Sequence, residues 1–392
     1  MTRFARRASS SDLPAPYGRI LMLLMTPGPT RVPERVLRAG ARPMLHHRTP
    51  EFSRELASLL ELIAPVFGTR ELVLPVHATG RGAMEATLSN LLSPGDGLVV
   101  CCNGRFGQMW VKIARSYGLV VHGVAADWNS DVDLQEIEGA IDAHPEVRAI
   151  AMAHSDTSTG VANDVAAVAG LARRRGLLTF VDGVSSIGGM PFAFDEWGVD
   201  AAFTASQKCL MSSPGLSFVA LSERAVNASA RATLPHNYWN FADIRREISG
   251  PKPGTPGTPP VHVVLQVAEA LRMIHEEGFD AVCERHKTMA GIVARGAAAL
   301  GLGQQCPGLR NRSTTVTALA LPAPLAPDTV REGLKKRGIL TAAALEHYQP
   351  TAFRIGHMGD IRPDDVEETM AAVREIVFED RRGPHATRLG EQ

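Results

Sequence analysis

Short, nearly continuous apolar runs recur through the middle of the chain, at residues 98–102, 119–124, 149–153, 177–181 and 201–204. Each is rich in β-branched residues or alanine and lacks the alternation of a sheet with one wet face. Each therefore predicts a strand covered on both sides. Between them lie stretches with helical spacing, at 84–92, 108–117, 134–143 and 165–175. Strands alternating with helices predict an α/β fold, a mostly parallel sheet flanked by helices.

The pattern breaks at 249–260, where proline, glycine and threonine crowd together with no capacity for helix or strand. Beyond it the periodicity predicts helices over 261–277 and 279–300. β-like stretches follow at 314–321 and 351–355, around a helix over 328–337. The expectation is a large domain over 21–260 and a smaller C-terminal α+β domain over 261–380. Residues 1–20 are rich in arginine and serine, with Asp12 their only acid. They are expected to be a disordered extension rather than a targeting peptide. Residues 381–392 are expected to be a polar tail. There is no internal repeat.

Composition narrows the class of partner. The 392 residues are 45% hydrophobic and 21% charged, ordinary values for a globular protein. Lys+Arg and Asp+Glu are equal at 41 each, so no basic excess points to nucleic acid or an anionic membrane. Small molecules are the expected partners. No apolar stretch approaches the ~20 residues of a membrane span. The five cysteines, Cys101, Cys102, Cys209, Cys283 and Cys306, form no CxxC pair. The spacing supports neither a disulfide framework nor a zinc site. Cys101 and Cys102 lie in an apolar run and read as buried thiols of a reducing compartment, so a cytoplasmic location is expected.

Ligands of parallel sheets bind beyond the carboxyl ends of the strands. Three polar strings fall there: His154-Ser155-Asp156-Thr157-Ser158, the acid Asp182, and Ser206-Gln207-Lys208. The last two carry the chemistry. A lysine amine can form a Schiff base with an aldehyde cofactor, and a buried carboxylate can hold a pyridine nitrogen protonated. Pyridoxal 5'-phosphate requires both. The other lysines, Lys112, Lys252, Lys287, Lys335 and Lys336, do not follow an apolar strand ending in a small polar turn. Arginine stays protonated and is no amine nucleophile.

The chain resembles the class V (fold type I) pyridoxal phosphate-dependent aminotransferases, in particular the alanine–glyoxylate / serine–pyruvate group. The resemblance runs from Thr26 to about Phe378. Its segments are Thr26-Pro27-Gly28-Pro29-Thr30, His47-Arg48-Thr49-Pro50-Glu51-Phe52, Thr79-Gly80-Arg81-Gly82-Ala83-Met84-Glu85, Asp156-Thr157-Ser158-Thr159-Gly160, Asp182-Gly183-Val184-Ser185-Ser186, Ser206-Gln207-Lys208, Thr258-Pro259-Pro260 and Arg354-Ile355-Gly356-His357-Met358-Gly359.

The resemblance implies a role for each candidate residue. Lys208 would be covalent anchor and proton carrier, Asp182 the partner of the ring nitrogen, and Phe106 a stacking aromatic. Thr79, Gly80 and Arg81 would hold the phosphate at a helix start near Ala83, largely through backbone amides. Arg81 stands where relatives often carry histidine or threonine. Ser158 would donate to the cofactor, with Gln207 a further contact. Arg354 would grip the substrate carboxylate in a bidentate fork, with Gly28 also at the substrate. Thr258 would reach the phosphate of a neighbouring subunit, which implies a homodimer with active sites at the interface. Thr255 occupies the place of a tyrosine in animal-type enzymes. His46, His47 and Arg48 would approach the partner's site, and adjacent histidines are not a metal pair.

The implied reaction moves an amino group from a small amino acid, alanine or serine, to a 2-oxo acid, glyoxylate or pyruvate. The motifs also fit 2-aminoethylphosphonate–pyruvate and pyridoxamine–pyruvate transamination. A cysteine desulfurase would need a mobile-loop cysteine in a small-residue setting, and Cys306 lacks one. A ligand-sensing regulator would need a DNA-binding module, and the segment before Thr26 is too short.

Overall fold

The computed structural model describes residues 22–125, 127–308 and 312–382. Its centre is a seven-stranded sheet of Val73–Val76 (β1), Gly97–Cys102 (β2), Val120–Ala125 (β3), Val147–Ala153 (β4), Leu178–Asp182 (β5), Ala201–Ala205 (β6) and Ser217–Leu221 (β7). The strand order is β1-β7-β6-β5-β4-β2-β3. β7 runs antiparallel to both neighbours and every other pairing is parallel. The five apolar runs read from the sequence are β2 to β6, each within two residues of its expected ends. β1 and β7 escaped that reading.

The interleaved helices follow expectation closely: Gly80–Leu91, Arg105–Ser116, Leu134–Ala143 and Val165–Arg174. Their starts are set locally. Asp133 and Asp164 each cap a helix by accepting a backbone N–H, from Gln135 at 2.8 Å and Ala167 at 3.0 Å. The helix Gly80–Leu91 starts earlier than read, at Gly80, and Thr79 makes no side-chain cap. One apolar cluster packs on each face of the sheet, as continuous apolar strands require.

The 249–260 stretch holds neither helix nor strand. The helices Val261–Glu277 and Phe279–Ala299 follow it. The apolar face of the first, with Val264, Leu265, Val267, Ala268 and Leu271, joins the core beneath the large sheet. A second sheet comprises Gly303–Gln304 (β8), Val316–Ala320 (β9), Ala342–Ala343 (β10) and Ala352–Gly356 (β11), in the order β8-β9-β11-β10. It packs its own core against Phe279–Ala299, Pro327–Lys336 and Pro363–Arg382. No described helix is long and apolar enough to cross a membrane. Among the described residues no disulfide joins any of the five cysteines, with Cys101 fully buried and Cys102 partly so. Residues 1–21 and 383–392, which include the expected extension and most of the polar tail, lie outside the described residues.

Candidate active site

β1, β2, β4, β5 and β6 end at one rim of the large sheet, and the candidate residues gather there. Asp182 is the last residue of β5 and is buried. One backbone N–H, from Val184, reaches its carboxylate at 2.9 Å. Among the described residues no second donor does. Burial pushes its pKa up to about 7. The Val184 N–H and the Lys208 charge oppose that shift, while nearby Asp156 adds to it. A buried carboxylate with one hydrogen bond lacks a partner.

Lys208 lies in the turn after β6, half-buried, with its amine donating to the Pro27 carbonyl. Burial lowers its pKa from 10.5 to about 8, against the pull of Asp182 and with the help of Arg354. An amine titrating there is free for nucleophilic chemistry in a large fraction of molecules near pH 8. The segment 26–30 wraps this turn. Thr30 N–H donates to the Gln207 carbonyl at 3.1 Å, and its hydroxyl donates to the Lys208 carbonyl at 3.0 Å. Gly28, at φ +112°, lies so close that a Cβ would sit 2.6 Å from Lys208 Cδ and 2.9 Å from Nζ. Only glycine supplies both that backbone and that clearance. The structure thus places Gly28 against the amine. Gln207 Oε1 is buried and unpartnered.

Arg354 comes from β11 of the second sheet and is buried. Its Nε donates to the Ala343 carbonyl at 2.8 Å and its Nη1 to the Thr157 carbonyl at 3.0 Å. Among the described residues nothing accepts from Nη2. Burial lowers its pKa to about 10, with Asp156 opposing. Among the described residues no carboxylate is hydrogen-bonded to it, so two carbonyls hold the fork and the Asp156 charge offsets only part of the cost of burial.

Thr79, Gly80 and Arg81 stand at the start of their helix, at the same rim. Gly82 and Ala83 N–H groups are taken by the Thr79 carbonyl, whereas those of Gly80 and Arg81 have no acceptor among the described residues. Free amides at a helix N-terminus favour an anion. Gly80 packs on the Asp182 loop so tightly that a Cβ would meet Val184 Cγ2 at 2.4 Å. That contact fixes the anion-binding end beside the acid. The Arg81 side chain is exposed.

Sequence reading gave Asp156 no role, yet it organises one side of the site. Fully buried, it accepts from Phe106 N–H at 3.0 Å and Ser158 N–H at 2.9 Å, and from the Ser158 hydroxyl. Ser158 Oγ in turn accepts from Arg105 N–H at 3.0 Å. The Ser158 hydroxyl, expected to be a cofactor donor, is thus engaged in tying its loop to the next helix. Phe106 is half-buried and held by its backbone. Gly104 lies against Asp156, where a Cβ would stand 2.2 Å from the carboxylate carbon. The signal for Asp156 was the short-range turn it makes with Ser158, two residues on.

Thr258 is exposed and is not brought to Lys208 within one chain. Thr255 is buried, its hydroxyl spent on the Gly257 carbonyl at 2.6 Å. Arg48 reaches the Pro256 carbonyl at 3.5 Å, so the 46–48 and 255–258 segments share one surface.

The family model for class-V aminotransferases matches residues 23–362. A Synechococcus protein named soluble hydrogenase, small subunit, is 35% identical over 365 residues, covering 91% of this chain and 93% of the relative. The L-aspartate–glyoxylate aminotransferase of Paracoccus denitrificans is 34% identical, covering 91% of each chain. Among solved structures, the ureidoglycine–glyoxylate aminotransferase of Bacillus subtilis superposes with a TM-score of 0.87 at 28% identity, covering 95% of this chain and 97% of that one. The α/β architecture is therefore that of the fold type I aminotransferases. With an amine, a carboxylate lacking a partner and an unpaired guanidinium at the rim, the chain belongs to the class-V aminotransferase family.

Proposed function

We propose that this aminotransferase uses pyridoxal 5'-phosphate to move an amino group from a small amino acid, alanine or serine, to a 2-oxo acid, glyoxylate or pyruvate. The observation that carries the proposal is the trio of Lys208, Asp182 and Arg354. An amine of lowered pKa, a buried acid short of donors and a guanidinium short of an anion together match one cofactor and one amino acid carboxylate. Two of the relatives named above have glyoxylate in their names, which supports the acceptor class.

The residues present fit the cofactor. Asp182 would accept from the ring nitrogen, and the free amides of Gly80 and Arg81, beside Thr79, would receive the phosphate. Phe106 would cover the ring, with Gln207 and Ser158 at its edge and Lys208 as covalent anchor. When bound, pyridoxal phosphate supplies an electron sink and a carbonyl carbon that carries the amino group. The chain supplies the rest. Lys208 moves a proton at the substrate α-carbon, for which a pKa near the working pH is suited. Arg354 orients the substrate carboxylate through its free edge. Asp182, as the ionised carboxylate, would hold the ring nitrogen and its proton in place.

The protein acts in the cytoplasm as a homodimer whose partner brings Thr258 to the phosphate and the 46–48 segment to the edge of the active site. The exposure of Thr258 and Arg48 on one surface supports that arrangement. The chain divides into a larger cofactor-binding unit and a smaller one from about residue 261, joined through the helix Val261–Glu277 seated on the larger.

The test is amino transfer followed by visible absorption and by product analysis. Alanine or serine should bleach the cofactor band, and glyoxylate or pyruvate should restore it. Bleaching by 2-aminoethylphosphonate or pyridoxamine alone would replace the substrate assignment. A protein that binds no cofactor would overturn it.

A further inference from the structure

The opposite rim of the large sheet holds a second cluster of ligating side chains. His122 lies on the edge strand β3, His144 caps the end of the helix Leu134–Ala143, and Glu146 stands just before β4. His122 Nε2 is 2.7 Å from Glu146 Oε1, and His144 Nδ1 is 3.7 Å from the same oxygen. The two imidazoles stack with centroids 3.5 Å apart and planes within 16°. One ligand atom from each residue lies within 4.8 Å of the others. We propose that His122, His144 and Glu146 form a binding site for one divalent transition-metal ion of the zinc class, separate from the Lys208 site.

The geometry argues for an ion in three ways. First, two ring nitrogens from different elements converge on one carboxylate oxygen. An ion held at about 2.0–2.2 Å from the two nitrogens and the oxygen would require the stacked rings to turn out of their parallel arrangement so that both lone pairs meet on it. Second, the donor set is two nitrogens and one oxygen. Imidazole suits zinc, copper, iron and nickel, whereas calcium and magnesium take oxygen ligands. Third, all three side chains are half-buried, so water can complete the coordination. The backbone supports the placement. Val99 of β2 lies opposite His122, and Gly97 N–H donates to the Glu146 carbonyl at 2.9 Å. At Gly97 a Cβ would stand 2.8 Å from Val147 Cα, so glycine allows the Glu146 segment its close approach.

The site would join three elements that do not neighbour one another in the sheet: edge strand β3, the helix end at His144 and the entry to β4. Its consequence is stability of that edge rather than turnover, because Lys208 and Asp182 lie at the other rim. The set is not visible as a sequence motif because the whole helix Leu134–Ala143 and the segment before it separate His122 from His144.

The test is equilibrium dialysis of the full-length protein against zinc ion, with a chromophoric chelator as competitor, alongside thermal melting. The expected result is one ion per chain and a melting temperature raised by a few degrees. Loss of even an outer-shell partner costs about tenfold to a hundredfold, so His144→Ala and Glu146→Gln, which remove proposed ligands, should each weaken binding by about a hundredfold or more and abolish the melting shift. Both variants should keep the wild-type far-ultraviolet circular dichroism. Absence of stoichiometric binding to the wild type would overturn the proposal, as would equal binding by wild type and His144→Ala.

Discussion

Asp182 and Asp200 are both buried, and they stand at opposite rims of the same sheet. Asp200 precedes β6 at the amino rim. It accepts from Thr179 N–H at 3.0 Å, the Ser222 hydroxyl at 2.8 Å and Arg224 Nη1 at 3.3 Å. Burial raises its pKa, and the Ser222, Arg224 and Thr179 contacts work against that. Asp182 at the carboxyl rim has one backbone donor and a pKa pushed up to about 7. The first carboxylate is finished by its own chain and staples β5, β6 and the end of β7 together. The second is kept dry and under-satisfied, which costs stability and makes sense only if a ligand completes it. Lys208 and Arg354 share that rim, each hydrogen-bonded to carbonyls rather than to a carboxylate, and among the described residues no comparable group stands around Asp200.

The comparison is broken most sharply by removing the amine. Lys208→Ala should lower amino transfer by roughly a thousandfold or more while leaving the melting temperature near that of the wild type, measured by steady-state assay and calorimetry. Exchange of the two acids comes next. Asp182→Asn should cost roughly a hundredfold or more in kcat/KM with little loss of stability. Asp200→Ala should leave the assay of the folded enzyme nearly unchanged. It should reduce unfolding free energy by about 1–3 kcal/mol, because the Thr179 amide loses its acceptor. Equal effects of the two substitutions on activity would erase the distinction.

Arg354→Lys should raise KM for amino acid donors by roughly tenfold, since a point charge cannot keep the two carbonyl contacts and also face a carboxylate. Kinetics with alanine and serine check it. A further effect is one of pH, read in stability rather than in turnover. In the cofactor-free fold Asp182 keeps its proton up to about pH 7, whereas an ordinary aspartate releases it near 3.8. Between those values the folded chain binds more protons than the unfolded one, so this group's contribution to stability falls as pH rises. Melting curves of cofactor-free protein from pH 4 to pH 7 should show that decline, and Asp182→Asn should flatten it.

The legible part of the fold was the run of strands alternating with helices. β2 to β6 carry apolar or small side chains over most of their length, and the helical stretches between them identify those runs as strands of a parallel sheet. β1 was hidden by Pro75, which argues against a strand, yet β1 is an edge strand where a missing N–H donor is tolerated. β7 is a short run whose identity depends on pairing antiparallel with β1 and β6, which are far away in sequence. Within the site, Asp182 and Lys208 were legible because each closes a strand at the ligand-binding rim. Asp156 was not, because its role depends on amides of Phe106 and Ser158 meeting across two loops. Likewise the carbonyls that aim Arg354 come from Thr157 and Ala343, contacts that no local pattern announces.

The claim on which all of this rests is that Lys208 is the covalent anchor of the cofactor. Reconstituting the protein with pyridoxal phosphate, reducing it with borohydride and mapping the adduct by peptide mass spectrometry tests it directly. The account predicts one adduct per chain, on the peptide containing Lys208, with loading of the native protein rising through a midpoint near pH 8. An adduct on another lysine, or undiminished labelling of Lys208→Ala, would contradict it.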